Sequence, residues 1–463
     1  MSANPTFAFV TIGSGSYVGS TVRDIILANA LHRRGFKVVV YWMMECKPEL
    51  VADGIRQRML CYGPRYHFRQ PSEILDKIVG PLLFLFPARE RVRIAQGMPG
   101  YVDRLLGNLT SCLHRTPDPD PLLVKRLIKF MALDGVSHLM MSFAAISPIA
   151  LAAKKNSDHP FDYLVTFQGD EHFASYARKA GLLPEFRQRL KDVVQGSPWP
   201  AVVISHDYLD RIVEEMGLDR ERLRVIYNGI ELARDNEKPP FAVLNTVFPD
   251  LKEDTPIVSY VGRQESEKGI DLLLYAAKLL EVRRIPMQLV VCGSTAKGQS
   301  YRNAIVDIAD HLRLAVHHAG QISSEIRDAL YAHSRCVVYP SICREPFGLV
   351  AVEAMNRGTP VIVPDYGGIT EVVRHSDKAG GLTFKAWDSA DLALKLEQLL
   401  TDGMMHRKLS SQARDIAAKF NVEYMTDAVL EHIGIGSVRR DPDDICTEQP
   451  RNPALRESHR ARA

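Results

Sequence analysis

Phe7-Ala-Phe-Val-Thr-Ile-Gly-Ser-Gly-Ser-Tyr-Val-Gly19 opens the chain with an apolar run that breaks into a loop of glycine and serine. Apolar residues then recur at helical spacing from Arg23 to Arg34, and Val38-Val-Val-Tyr-Trp42 is a second apolar run. Strand, tight loop, helix and strand in that order are the opening of a Rossmann-type α/β unit. The alternation returns at Tyr163 to Phe167 and at Ala201 to Ile204, then breaks around Glu237-Lys-Pro-Pro240. A second series follows, with strands at Ile257 to Val261 and Met287 to Cys292 around a helix from Gly269 to Leu280. Strands at Cys336 to Tyr339 and Pro360 to Val363 flank a helix from about Gly348 to Asn356, and helical spacing resumes from Ser389 to Phe420. A chain of 463 residues is too long for one ordinary core. The expectation is therefore α/β with two Rossmann-like domains, residues 1–238 and 239–420, a crossover helix at 421–435 and a disordered, charge-rich tail at 436–463.

Composition narrows the function classes. Hydrophobic residues make up 46% and charged residues 24%, as in ordinary folded proteins. A net charge of +3 is too small over this length for nucleic acid to be the main partner. The seven cysteines contain no C-x-x-C pair, which argues against a zinc knuckle or a disulfide framework. Met1-Ser-Ala-Asn-Pro5 lacks the basic start of a secretory signal, so the expected location is cytoplasmic. The longest apolar stretch, Leu139 to Ala153, contains Pro148 and falls short of the roughly 20 residues of a membrane span.

The chemistry concentrates in the second half. Glu345-Pro-Phe-Gly-Leu349 and Glu353-Ala-Met355 put two carboxylates around a glycine at the start of a helix, followed by Gly358-Thr-Pro-Val361 and Gly367-Gly368. The amides of Phe347, Gly348 and Leu349 then point out of a helix N-terminus, which binds phosphate through unpaired N–H groups and the helix dipole. Upstream, Val261-Gly-Arg263 and Glu267-Lys268-Gly269 place two cations in the loop after a strand, at the carboxyl edge where open α/β sheets bind ligands. Two cations there fit a diphosphate.

Together with Tyr227-Asn-Gly-Ile-Glu231, these motifs resemble the retaining GT-B glycosyltransferases of the GT4 group, strongly from about Val202 to Val373. The resemblance implies that Arg263 and Lys268 bind a donor diphosphate, that Glu353 accepts from the ribose hydroxyls and that Glu345 contacts the donor sugar. It further implies backbone contacts from Phe347, Gly348 and Leu349, with Gln321 and Ile322 near the base. Gly19 and Ser20 would face the diphosphate from the first domain, where many members carry two glycines. Many members also carry a histidine after the strand that here ends at Phe167, whereas this chain reads Gln168-Gly-Asp170. Glutamine can hydrogen-bond a sugar hydroxyl but cannot carry a proton as histidine does. Two readings stay open: the histidine is dispensable, with Asp170, Glu171 or His172 compensating, or activity is altered or lost.

The function implied is transfer of a sugar from a UDP- or GDP-linked donor to an acceptor, with retention of configuration. The nucleotide sugar is a cosubstrate, and no further cofactor and no metal are expected, since positive groups take the place of a metal at the leaving group. Three alternatives remain: a catalytically silent nucleotide-sugar-binding protein, a GT-B-fold epimerase and a phosphorylase. The acceptor is unspecified, carbohydrate and lipid-linked acceptors both being open. The segment 78–93, an apolar run joined to Arg89, Arg91 and Arg93, reads either as a peripheral dock on the inner face of an anionic membrane or as an internal helix with a solvated basic end.

Overall fold

The computed structural model describes residues 4–12, 19–43, 48–60, 119, 121–169, 171–179, 181–233, 238–295, 300–375 and 377–436. The loop 13–18, the segment 78–93, Asp170 and the expected tail beyond 436 lie outside these residues, so those expectations are not addressed by it.

In the first lobe the strands are β1 (Thr6–Thr11), β2 (Lys37–Trp42), β3 (Arg56–Met59), β4 (His138–Met141), β5 (Asp162–Phe167), β6 (Ala201–Val203) and β7 (Leu223–Val225). They form a sheet in the order β3-β2-β1-β4-β5-β6-β7, parallel throughout. Its helices are α1 (Gly19–Arg33), α2 (Pro121–Asp134), α3 (Pro148–Asn156), α4 (Glu171–Lys179), α5 (Leu183–Gly196) and α6 (His206–Met216). All six residues of β1 are buried, as is usual where a parallel sheet is covered on both faces. The helix expected from Arg23 starts four residues earlier, at Gly19, so its first turn belongs to the loop that meets the other lobe.

The second lobe holds α7 (Ala242–Asn245), β8 (Ile257–Val261), α8 (Ile270–Val282), β9 (Gln288–Cys292), α9 (Ser300–His311), β10 (Val316–Ala319), α10 (Ser324–His333) and β11 (Ser334–Val338). After these come α11 (Leu349–Asn356), β12 (Val361–Pro364), α12 (Ile369–Val373), the short hairpin β13 (Arg374–His375) and β14 (Lys378–Ala379), and β15 (Gly381–Phe384). Its parallel sheet runs β10-β9-β8-β11-β12-β15. The helical stretch from Ser389 is broken in two, α13 (Ser389–Thr401) and α14 (Gly403–Ala417), because Asp402 caps the second helix by accepting from Met404 and Met405 N–H.

The chain passes between the lobes twice. Ile230 N donates to Phe420 O and Val422 N donates to Ile230 O, each at 2.9 Å, so the two passages lie side by side. A Cβ on Gly229 would come within 2.4 Å of Asn421 O, so only glycine fits that crossing. The last helix, α15 (Val422–His432), packs Val422, Met425, Val429 and Leu430 into the first lobe's core with Ile25 and Leu31 of α1. Arg34 adds ion pairs to Glu423 (2.6 Å) and Asp427 (2.5 Å). Among the described residues, no helix is long and apolar enough to cross a membrane.

Candidate functional site

The loop after β8 is built around buried polar groups. Tyr260 OH donates to Arg263 O at 2.6 Å, and Gln264, fully buried, donates its Nε2 to Gly293 O (2.8 Å) and Ala319 O (2.9 Å). Gln264 thus ties together the carboxyl ends of β8, β9 and β10, the last leading to Gln321 and Ile322. A turn at Ser266–Lys268 ends in Gly269 at φ 63°, where a Cβ would meet Pro340 O at 2.3 Å. That contact fixes the start of α8 against the chain leaving β11.

Lys268 is 7% exposed and its Nζ donates to Glu345 Oε2 at 2.7 Å, above the Tyr339 ring at 5.2 Å. Burial works against the lysine's charge, but the Glu345 carboxylate outweighs it and holds the ammonium well above its usual range. Arg263 pairs with Glu265, and with Glu267 at 3.5 Å. Both cations expected to meet a diphosphate are therefore already partnered by carboxylates, a feature that spacing in the sequence did not reveal. Lysine has three N–H groups and arginine five, so each keeps donors for a ligand while the acids hold it in place.

Glu345 sits on the loop before α11, whose cap residue, Gly348, has φ 93° and supplies no side chain to the first-turn amides. Phe347 anchors this loop from below, 2% exposed, against Tyr227 and Phe420. One turn into α11, Glu353 Oε2 accepts from Tyr331 OH at 3.0 Å and lies 3.7 Å from Arg327 Nε. Lys268 and Glu345 thus meet directly, with Arg263 close enough to act on Lys268 electrostatically, while Glu353 turns towards α10.

The first lobe comes up against the same helix start. A Cβ on Gly19 would lie 3.6 Å from Leu349 Cδ1, so the N-termini of α1 and α11 face each other. Ser20 is buried, and its Oγ has no hydrogen-bond partner among the described residues. Gln168, just beyond β5, donates its Nε2 to Asp24 Oδ1 (3.1 Å) and Ser142 O (3.0 Å). Asp170 is outside the described residues, and of His172 only its place in α4 is described.

The loop bearing Glu345 is also gripped by α6. Ser205 Oγ donates to Pro346 O at 2.6 Å, Arg211 NH1 donates to Arg344 O at 2.8 Å, and Arg344 pairs with Asp207. Glu371 of α12 accepts from His206 N (3.0 Å), Asp207 N (2.7 Å) and Tyr227 OH (3.0 Å), capping α6 from the opposite lobe. Burial pushes the Glu371 carboxyl up, opposed by those N–H donors. Sequence reading missed Glu371, Gln264 and Asp24. Glu371 had a signal, three residues beyond Gly367-Gly368, but its partner helix lies about 165 residues upstream.

Comparison with known proteins adds three findings. The model of the family "Glycosyl transferases group 1" matches residues 246–416. A D-inositol 3-phosphate glycosyltransferase of Mycolicibacterium smegmatis is 31% identical over 466 aligned positions, covering 97% of this chain and 92% of that protein. Its namesake from Nocardia farcinica is 33% identical over 227, covering 48% of this chain and 49% of the relative, and the chain spans about half the length of that and the Rhodococcus opacus relative it matches. Among solved structures, Anabaena HepE in complex with UDP and glucose superposes with a TM-score of 0.67 at 17% identity, covering 92% of this chain and 98% of that one. Sucrose-phosphate synthase of Thermosynechococcus elongatus gives 0.67 at 21%, covering 92% and 98%. At such identities the likeness establishes the fold, two Rossmann-like α/β lobes in the GT-B arrangement.

Proposed function

The chain belongs to the group 1 glycosyl transferases, and from that we propose that it moves a sugar from a UDP- or GDP-linked donor to an acceptor hydroxyl, with retention of configuration and without a metal. The observation that carries this reading is the Lys268–Glu345 pair at 2.7 Å beside a helix start, Gly348-Leu349, that has no side-chain cap and faces the start of α1.

Breaking the bond between sugar and phosphate leaves positive charge on the sugar ring and negative charge on the departing diphosphate. The remaining N–H donors of Lys268 and Arg263 and the amides of Gly348 and Leu349 meet that negative charge. These groups are fixed before reaction, so little reorganisation is needed as the charge develops. Glu345, held by Lys268, takes a hydroxyl of the donor sugar. Glu353 exchanges the Tyr331 hydroxyl for those of the ribose, and Gln321 and Ile322 border the base. Gly19 admits the diphosphate closely at the first lobe, and Gln168 faces the sugar. The relatives named as acting on D-inositol 3-phosphate, and the neighbour solved with UDP and glucose, make UDP-glucose and a phosphorylated polyol the first pair to try. The proposed location is cytoplasmic, with segment 78–93 resting on the membrane where the acceptor is lipid-linked.

Gln168 favours a second reading, a nucleotide-sugar-binding protein without turnover, because an amide cannot carry a proton. Purified protein incubated with a panel of UDP- and GDP-sugars and acceptors distinguishes the two. Nucleotide release with a new glycoside supports transfer, whereas calorimetric binding without any release supports the silent protein. An altered sugar still attached to its nucleotide would indicate epimerisation instead.

A further inference from the structure

Beneath the start of α1 lies a polar cluster to which the scheme above gives no task. Arg23 and Asp24 are each 2% exposed, and Arg23 NH1 donates to Asp24 Oδ1 at 3.0 Å. The same Oδ1 accepts from Gln168 Nε2, which also donates to Ser142 O. Ser142 is itself pinned, its Oγ donating to Val10 O at 2.7 Å.

These partners decide which way the amide of Gln168 faces. A backbone carbonyl can only accept, so the contact with Ser142 O requires the NH₂ group to lie on that side, with Asp24 Oδ1 beside it, and the amide oxygen to lie on the other. The neighbouring Gly169 N donates to Tyr208 OH at 3.0 Å, and Tyr208 belongs to α6, whose first turn holds the Glu345 loop. Gln168 is thus tied to the start of α1 on one side and to the donor-sugar loop on the other.

We propose that Asp24 is a positioning residue for Gln168, locking the amide so that its oxygen accepts a hydrogen bond from a hydroxyl of the transferred sugar. The inference rests on the sugar-transfer reading and adds a specificity to it: position 168 favours a donor sugar that carries a hydroxyl at that point over one deoxygenated there.

The test has a binding-site arm and a kinetic arm, both on the full chain. Asp24→Leu alone would leave the Arg23 charge buried and unpaired, so the pair is replaced together by Arg23→Met and Asp24→Leu, a swap that buried ion pairs often tolerate. In the first arm, proton exchange of the Gln168 side-chain amide is followed by NMR without substrate, its signal assigned by its loss in Gln168→Leu. Exchange should accelerate at least about tenfold in the double variant; an unchanged rate overturns the proposal. In the second arm, kcat/KM for the sugar nucleotide should fall about tenfold in the double variant and in Gln168→Leu, with free nucleotide binding unmoved. The triple variant should fall no further, because one interaction has been removed twice; losses that multiply overturn the proposal. If the double variant does not fold, Gln168→Glu, which has no donor for Asp24 or Ser142, should lose at least about tenfold, and a fully active Glu variant is equally fatal. A wild type that turns over no donor sinks the transfer reading, while the exchange arm still reports on the lock.

Discussion

Lys268 holds Glu345, and in the proposed reaction it also offers its remaining N–H groups to the donor diphosphate. Lys268→Ala should therefore lower kcat by about 10²–10³, the usual cost of removing one fixed donor from a developing anion. Nucleotide release under saturating donor measures it, and a near-normal rate would take Lys268 away from the leaving group. Stability carries a second signature. The folded lysine titrates above its unfolded value, so the stabilisation from the pair is fully present below the unfolded value and is lost only as pH rises through the higher folded one. The gap in urea stability between wild type and Lys268→Ala should accordingly stay flat from about pH 6 to 9 and narrow only in stronger alkali. Arg263 differs in kind, since Glu265 is 4% exposed while the arginine side chain that pairs with it is 28% exposed.

The start of α8 shows how backbone geometry carries the site. Gly269 combines a left-handed φ of 63° with a carbonyl 2.3 Å from where a Cβ would stand. Gly269→Ala adds a conformational penalty of about 1–2 kcal/mol and an overpacking penalty of about 1–3 kcal/mol. Urea denaturation should show a loss of roughly 2–5 kcal/mol from those two sources, with turnover falling because Lys268 precedes the displaced residue. A loss under about 0.5 kcal/mol would mean that the loop yields and does not brace the lysine. This glycine was legible in the chain as Glu267-Lys268-Gly269, and so were the parallel strands, because strands buried on both faces read as unbroken apolar runs such as Ile257 to Val261. The partners of the site residues were not legible. Tyr331 reaches Glu353 from 22 positions away and Asp24 reaches Gln168 from 144, and no local pattern encodes a contact that exists only once two sheets have been stacked and joined. The carboxylates that shield Arg263 stood in plain view, two and four residues on, but whether they turn towards the cation is decided by the loop's shape.

The two lobes share more than a cleft. Two passages of chain cross side by side at Ile230 and Phe420–Val422, and α15 returns to lean on α1, so opening the cleft has to bend both passages together. On the cleft side of that crossing, the second lobe's Glu371 caps the first turn of α6, which in turn grips Arg344 and Pro346 on either side of Glu345. On the proposed reading, the carboxylate assigned to the donor sugar is therefore positioned by the opposite lobe, and closure and sugar placement become one event. Glu371→Ala removes three acceptor contacts from this junction while touching none of the groups assigned to the nucleotide. Loss of the cap should cost about 0.5–2 kcal/mol of stability, visible as a lower unfolding midpoint in urea. Free nucleotide should bind as before, since Arg263, Lys268, Glu353 and the start of α11 all belong to the second lobe. Transfer should nonetheless fall about tenfold in kcat/KM, because Glu345 loses its registration against the first lobe, and small-angle scattering should show a broader distribution of interlobe distances. If kcat/KM holds while the scattering broadens, the junction governs shape alone and Glu345 is positioned from within its own lobe.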